Sequence, residues 1–167
     1  MTDINIGRAQ RLSAPCPFAL LTTLRDDGAT NVMAVSWWSY LSNHPPTLGV
    51  CLSSKGLSGE LIRKNGEFGL CIVGEDLKDA ALRCGQVSGR KLDKAAEFGI
   101  PLEQAAQIKA KLVSGCRVVF ECRLVDTKDV GDHTIYIAEP LAIRGDESVR
   151  QLFAFDGYAR LGTVTEN

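Results

Sequence analysis

The 167-residue sequence lacks any excess of charge: 19 Lys and Arg stand against 20 Asp and Glu, a net charge of −1 with no basic stripe. Electrostatics therefore offers nothing to a nucleic acid or to an anionic membrane surface. No apolar run approaches the ~20 residues that a membrane-spanning helix needs. The N-terminus carries Asp3 ahead of an apolar stretch that begins only after Pro17, which is not the form of a secretory signal. Histidine is scarce, with two residues in all. None of the six cysteines falls in a CxxC or beside a His at ligand spacing, so no metal centre is expected. No GxGxxG follows a strand-like run, so the pattern provides no Rossmann dinucleotide site.

What is present is the composition of one globular domain, 45% hydrophobic and 23% charged, and long enough to bury a core. Cys51 and Cys71 sit inside apolar runs, where a free Cys behaves as a small hydrophobe. The set reads as reduced thiols of a cytoplasmic protein.

The chain is organised around Thr30 to Ser58. Val32-Met33-Ala34-Val35 has the length and β-branched character of a buried strand. Ser36 and Trp37-Trp38 follow, then a polar break at Ser42 to Pro46. A second apolar run, Leu48 to Leu52, ends in Ser53-Ser54-Lys55-Gly56. Small side chains along the first strand let a flat ligand lie against backbone amides. A Ser-Ser-Lys-Gly tip feeding a helix is a phosphate cradle in form, because free N–H groups and a Lys favour an anion. The same stretch is also what an ordinary hairpin looks like.

Elsewhere, residues 1–14 read as a lead-in segment, Phe18 to Leu24 as a strand, and Arg25-Asp26-Asp27-Gly28 as its turn. Leu57 to Lys64 has helical spacing, with Ser58 as the expected N-cap and Asn65-Gly66 as the stop. Phe68 to Val73 reads as a buried strand and Glu75 to Cys84 as a short helix ended by Gly85. Leu92 to Phe98 suits one or two helical turns, and Asp93-Lys94 reads as a charge pair on a solvated face. Pro101 to Val113 fits either a short helix or an extended linker. Cys116, Val118, Phe120, Cys122 and Leu124 share one face of a strand, and Arg117, Glu121 and Arg123 are expected on the polar other. Asp126 to Asp132 reads as a turn, His133 to Glu139 as the returning strand, and Leu152 to Gly162 as the closing segment. Many short strands with few helices predict a mainly β, closed or nearly closed antiparallel barrel in a single domain over residues 1–167.

In this order and spacing the segments resemble the flavin reductase-like family, FMN-binding split barrels that include flavoredoxin and ferric reductases. The resemblance is carried by Asp27-Gly28, Asn31 to Trp37, Asn43-His44-Pro45-Pro46, Ser53 with Ser58 to Ile62, and Cys84-Gly85 with Ser88-Gly89-Arg90 and Asp93-Lys94. Glu121 to Val125, Gly131 to Thr134, Gly157-Tyr158 and Leu161-Gly162 complete it. It implies an antiparallel FMN-binding split β-barrel and a homodimer with FMN near the subunit interface. The isoalloxazine would run along Asn31, Met33, Ala34, Val35, Ser36 and Trp37. The phosphate would lie at Ser53, Ser54, Lys55 and Ser58, with Ser88, Gly89, Arg90 and Lys94 close by. His133 would flank the open face, where a nicotinamide or another acceptor docks. Members often carry an Arg at the position of Gly56; here the neighbouring Lys55 is the cation of the loop.

Each of these residues has an ordinary reading too: core and surface aromatics for the Trp pair, turn and cap for the serines, a hairpin histidine for His133. The function implied by the resemblance is an FMN oxidoreductase taking electrons from NAD(P)H, a transient substrate, and passing them to free flavin, a ferric complex or a protein. FAD is the less favoured flavin. The alternatives are a flavoredoxin-type electron carrier serving an acceptor protein, without its own nicotinamide reaction, and a small-molecule binding barrel.

Overall fold

Ala19 to Thr23 are all fully buried, so this strand has no solvent face and shows no apolar–polar alternation. It separates two hydrophobic clusters. Leu20 packs with Val32, Cys71, Ala81, Cys84 and Leu112 in one. Ala19 and Leu21 pack with Val50, Ile62, Phe68, Phe120 and Tyr136 in the other. Each large apolar side chain so buried contributes about 1.5–3 kcal/mol.

The structure, a computed structural model, describes residues 1–164. In chain order the elements are α1 (Ile6–Leu12), β1 (Cys16–Pro17), β2 (Ala19–Leu24), β3 (Thr30–Val35), β4 (Trp38–Asn43), β5 (Pro46–Ser53), α2 (Leu57–Asn65) and β6 (Glu67–Ile72). A 3-10 turn at Glu75–Leu77 leads into α3 (Lys78–Cys84), followed by α4 (Lys94–Phe98), β7 (Leu102–Glu103) and β8 (Leu112–Val113). The long hairpin β9 (Val118–Val130) and β10 (His133–Gly145) and the short strands β11 (Phe153–Phe155) and β12 (Arg160–Gly162) end the fold.

Seven strands form one antiparallel sheet in the order β3-β2-β6-β9-β10-β5-β4. The two edge strands, β3 and β4, are consecutive in the chain and joined only through Ser36 and Trp37. Three Cα steps from Val35 to Trp38 reach about 10 Å at most. The sheet must therefore curl until its edges meet, yet β3 and β4 share no ladder. The result is a barrel split along one seam, as expected from the sequence.

Several local expectations are corrected. The lead-in carries α1, capped by the Asn5 side chain, which accepts from the Arg8 N–H. The N-cap of α2 is Gly56 and not Ser58, which lies buried inside the first turn. The strands run on through Asp126 to Val130 and turn only at Gly131-Asp132, because the β9–β10 ladder continues to the pair Val130–His133. Pro101 to Val113 forms no helix: β7 pairs with β8 around a bent loop at 106–110. Glu121, expected on a polar face, is buried, and its Oε2 accepts the N–H groups of Ala106 (2.9 Å) and Gln107 (2.5 Å). It thus pins a loop whose amides have no ladder partner. Lys94 is buried as well, its ammonium donating to the carbonyls of Cys84 (3.0 Å) and Val87 (3.1 Å). Asp93 is the cap of α4, accepting from Ala95 and Ala96.

Candidate functional site

The seam of the barrel opens into a cavity of about 550 Å³. Met33, Ala34 and Val35 of β3 line it along an edge strand, where half of the backbone N–H and C=O groups have no ladder partner. Cys51, Leu52 and Ser53 of β5 line a second side. The link residues Ser36 and Trp37 cross between the two strands, and the Cys51 N–H donates to the Trp37 carbonyl at 2.7 Å.

At one end the indole of Trp37 lies over the imidazole of His133, with ring centroids 4.8 Å apart and planes tilted by 34°. His133 is paired in register with Ser53, which brings the start of β10 to the tip of β5. Its Nδ1 is 2.7 Å from a carboxylate oxygen of Asp132. That hydrogen bond, together with the imidazole's charge, holds the Asp132 carboxyl below the usual carboxylate range.

The remaining expected residues cluster around the start of α2. Gly56 supplies no side-chain cap, so the first-turn N–H groups have no side-chain acceptor of that kind. Ser54 is tied to the hairpin tip, its N–H donating to the Asp132 carbonyl at 3.0 Å and its hydroxyl 3.2 Å from that of Thr134. Lys55 is exposed. The Asn31 amide donates to the hydroxyls of Ser58 (3.0 Å) and Thr23 (3.1 Å), locking β3 to α2. Gly89 lies against the same amide: a Cβ there would stand 2.1 Å from Asn31 Oδ1, so only glycine fits. Its carbonyl accepts from Arg25 Nη1 at 2.6 Å. Ser88 is exposed and its hydroxyl accepts the Arg90 N–H. The Arg90 guanidinium pairs with Glu60 of α2. Gly89 and Arg90, with Arg25, Leu57 and Leu61, line a second cavity of about 350 Å³.

The structure therefore sorts the expected residues. Met33 to Trp37, Ser53 and His133 converge on the larger cavity, while Gly89 and Arg90 border the smaller one. Asn31 and Ser58 are buried and joined to each other, and Lys94 is spent on two carbonyls. Burial pushes its ammonium pKa down and the neighbouring Cys84 thiol up to about 11.

Sequence reasoning missed one wall of the larger cavity entirely. Ile6, Ala9, Gln10 and Ser13 face it at i, i+3, i+4 and i+7, the stripe that Asn5 as a cap would have signalled. Tyr158, Cys16 and Cys51 line it too.

The sequence matches the family described as flavin reductase like domain over residues 11–162. The chain belongs to that family. It is 34% identical over 133 residues to the FMN reductase (NADH) RutF 2 of Methylorubrum extorquens, covering 78% of this chain and 74% of that one. It is 30% identical over 113 residues to an uncharacterized protein of Archaeoglobus fulgidus, covering 68% and 64%. The chain spans less than two thirds of that relative and 54% of an Aeropyrum pernix relative. Among solved structures, the flavoredoxin of Methanosarcina acetivorans superposes with a TM-score of 0.87 over 100% of this chain and 92% of that one, at 24% identity. A flavin reductase with a split barrel domain from Shewanella frigidimarina, described as putative, gives 0.86 over 96% and 88%, at 17% identity. These likenesses establish the split-barrel fold. Among the described residues no helix is long and apolar enough to cross a membrane, and no cluster of His, Cys, Asp and Glu could hold a metal ion.

Proposed function

We propose that this protein is an FMN-binding oxidoreductase of the flavin reductase type, passing electrons from NAD(P)H to free flavin, a ferric complex or a protein acceptor. The observation that carries the reading is the seam cavity itself: a space of about 550 Å³ against the edge strand Met33–Val35, beside the Trp37–His133 stack. The donor set fits a flavin monophosphate. Edge-strand amides and the Ser53 hydroxyl suit the polar edge of an isoalloxazine. The uncapped first turn of α2, Ser53, Lys55 and Arg90 suit a phosphate.

When bound, FMN supplies the hydride and single-electron chemistry. The chain's own residues bind and orient it. Met33, Ala34 and Val35 present backbone and small side chains, so that the ring is held without being crowded. Leu52 and the α1 stripe exclude water from one side. The Trp37–His133 pair offers a planar platform on which a nicotinamide or an aromatic acceptor stacks. Hydride transfer needs stacking and distance more than an acid or base, so no residue of the site has to change its protonation state.

The homodimer belongs to the same reading. Tyr40, Leu41 and Ile143 leave apolar surface in solvent, as a surface awaiting a second subunit would. Sedimentation of a monomer that still retains FMN would count against it.

The test is direct. Heat-released cofactor should chromatograph as FMN, one per subunit, and stopped-flow mixing with NADH or NADPH should bleach the flavin band. Recovery of FAD overturns the FMN assignment. Absence of any flavin supports a small-molecule binding barrel instead. Flavin that neither nucleotide reduces indicates an electron carrier.

A further inference from the structure

We propose that Tyr158 is a hydrogen-bond donor aimed into the seam cavity by Ser36, where it holds an acceptor atom of the ring bound there; the inference rests on the flavin reading above. A phenol oxygen carries two lone pairs and one proton. The Ser36 N–H donates to it at 3.0 Å and the Ser36 hydroxyl donates to it at 3.2 Å. Both lone pairs are thus taken by one residue, and the phenol proton has no acceptor among the described residues. Tyr158 lines the cavity and is 39% exposed, so the direction left to that proton is the cavity.

The ring is placed, not loosely tethered. It meets Phe18 edge-on, with centroids 6.2 Å apart and planes at 72°. On another side it packs beside Gly85, where a Cβ would stand in ordinary contact, 3.6 Å from the Tyr158 Cβ. The turn that delivers Tyr158 is built at a cost. Asp156 has φ of 55°, and among the described residues it is the one non-glycine with positive φ; Gly157 follows with φ of 64°. Asp is among the few non-glycine residues that take this conformation singly in turns, and left-handed non-glycine residues are enriched at ligand sites. Here the Asp156 carboxylate lies 3.4 Å from the Arg11 guanidinium of α1, a solvent-exposed pair that sets the turn beside the cavity's helical wall.

A hydroxyl that merely staples the turn to β3 would have a different signature from one that touches the ligand. The experiment compares Tyr158→Phe, Ser36→Ala and wild type by fluorescence titration with FMN and with riboflavin, and records the visible absorption band of the bound flavin. The proposal expects Tyr158→Phe to weaken both flavins by the same factor, about 3- to 10-fold, as the loss of one hydrogen bond to the shared ring, and to shift the band. Ser36→Ala keeps the phenol and the backbone N–H that orients it but removes one of its two donors, so it should weaken both flavins less and shift the band in the same direction. It also serves as the test should Tyr158→Phe not fold. Wild-type affinity and an unshifted band in both variants would overturn the proposal while leaving the flavin reading intact. A wild-type protein that binds neither flavin would overturn the flavin reading, and this inference with it.

Discussion

Trp37 and His133 stack at 4.8 Å although one lies in the link between the two edge strands and the other opens the last long strand of the sheet. The contact exists because β5 lies between β4 and β10, so the tip of β10 arrives beside the seam. An aromatic pair of this kind contributes about 0.5–1.5 kcal/mol beyond its burial. If it is the platform for the electron donor, His133→Ala should raise the KM for the reduced nicotinamide by about 3- to 10-fold. The FMN dissociation constant should stay within twofold. Steady-state kinetics beside a flavin titration reads both; equal losses in the two would place His133 against the flavin instead.

The Asp132 carboxyl has a lowered pKa because the His133 ring hydrogen-bonds to its charged form. Asp27 is lowered too, first by the Ala29 N–H and then by Arg25. A depressed carboxyl stabilises the fold above its unfolded pKa and loses that contribution as pH falls through the folded value. Melting temperature should therefore decline below about pH 4, and Asp132→Asn should make that acid limb shallower. A limb of unchanged slope would remove Asp132 from the account.

Arg90 is engaged by Glu60, with both side chains about half exposed. Such a pair is worth about 0–1 kcal/mol, less than a charge-assisted contact to a phosphate at about 1.5–3 kcal/mol, so a phosphate can draw the guanidinium away. Arg90→Ala should weaken FMN about tenfold or more and leave riboflavin, which has no phosphate, unchanged. Glu60→Gln should tighten FMN by removing the competitor. Equal weakening of both flavins by Arg90→Ala would mean that Arg90 does not touch the phosphate.

At Gly89 a methyl group would collide with Asn31 Oδ1 and force apart the amide that bonds Ser58 and Thr23. Gly89→Ala should cost about 2 kcal/mol in urea unfolding, as overpacking in a bonded site does. A loss under half that size would show that the 86–91 turn moves aside freely.

Of the six cysteines, Cys16 and Cys51 are partly exposed, and Cys71, Cys84, Cys116 and Cys122 are buried. Burial raises the Cys51 thiol pKa, lifts Cys84 to about 11 and drives Cys122 higher still. At pH 8 a thiol-specific reagent should titrate no more than those two partly exposed thiols in the native protein and all six after denaturation. Since both exposed thiols line the seam cavity, FMN should slow their reaction. A buried thiol reacting first would contradict the packing.

Much of this architecture is written in local chemistry. The Asp27-Gly28 turn, the glycine stop at Gly66 and the strands around Val32 and Phe68 follow from φ freedom and from apolar runs. Gly28 and Gly66 do take positive φ, at 82° and 71°. The order of these signals was enough to indicate the split barrel and its family. What the sequence could not carry is which side chains are consumed by distant partners. Ser58 looks like a cap but bonds Asn31, Lys94 looks solvated but holds two carbonyls, and Glu121 looks exposed but pins a loop. α1 becomes a cavity wall, and Tyr158 reaches Ser36, only when the sheet has curled far enough to bring its edges together. Periodicity reports which face of an element is apolar, because that is a property of neighbours along the chain. Where a polar group finds its partner is settled by long-range strand pairing, which appears only in the tertiary structure.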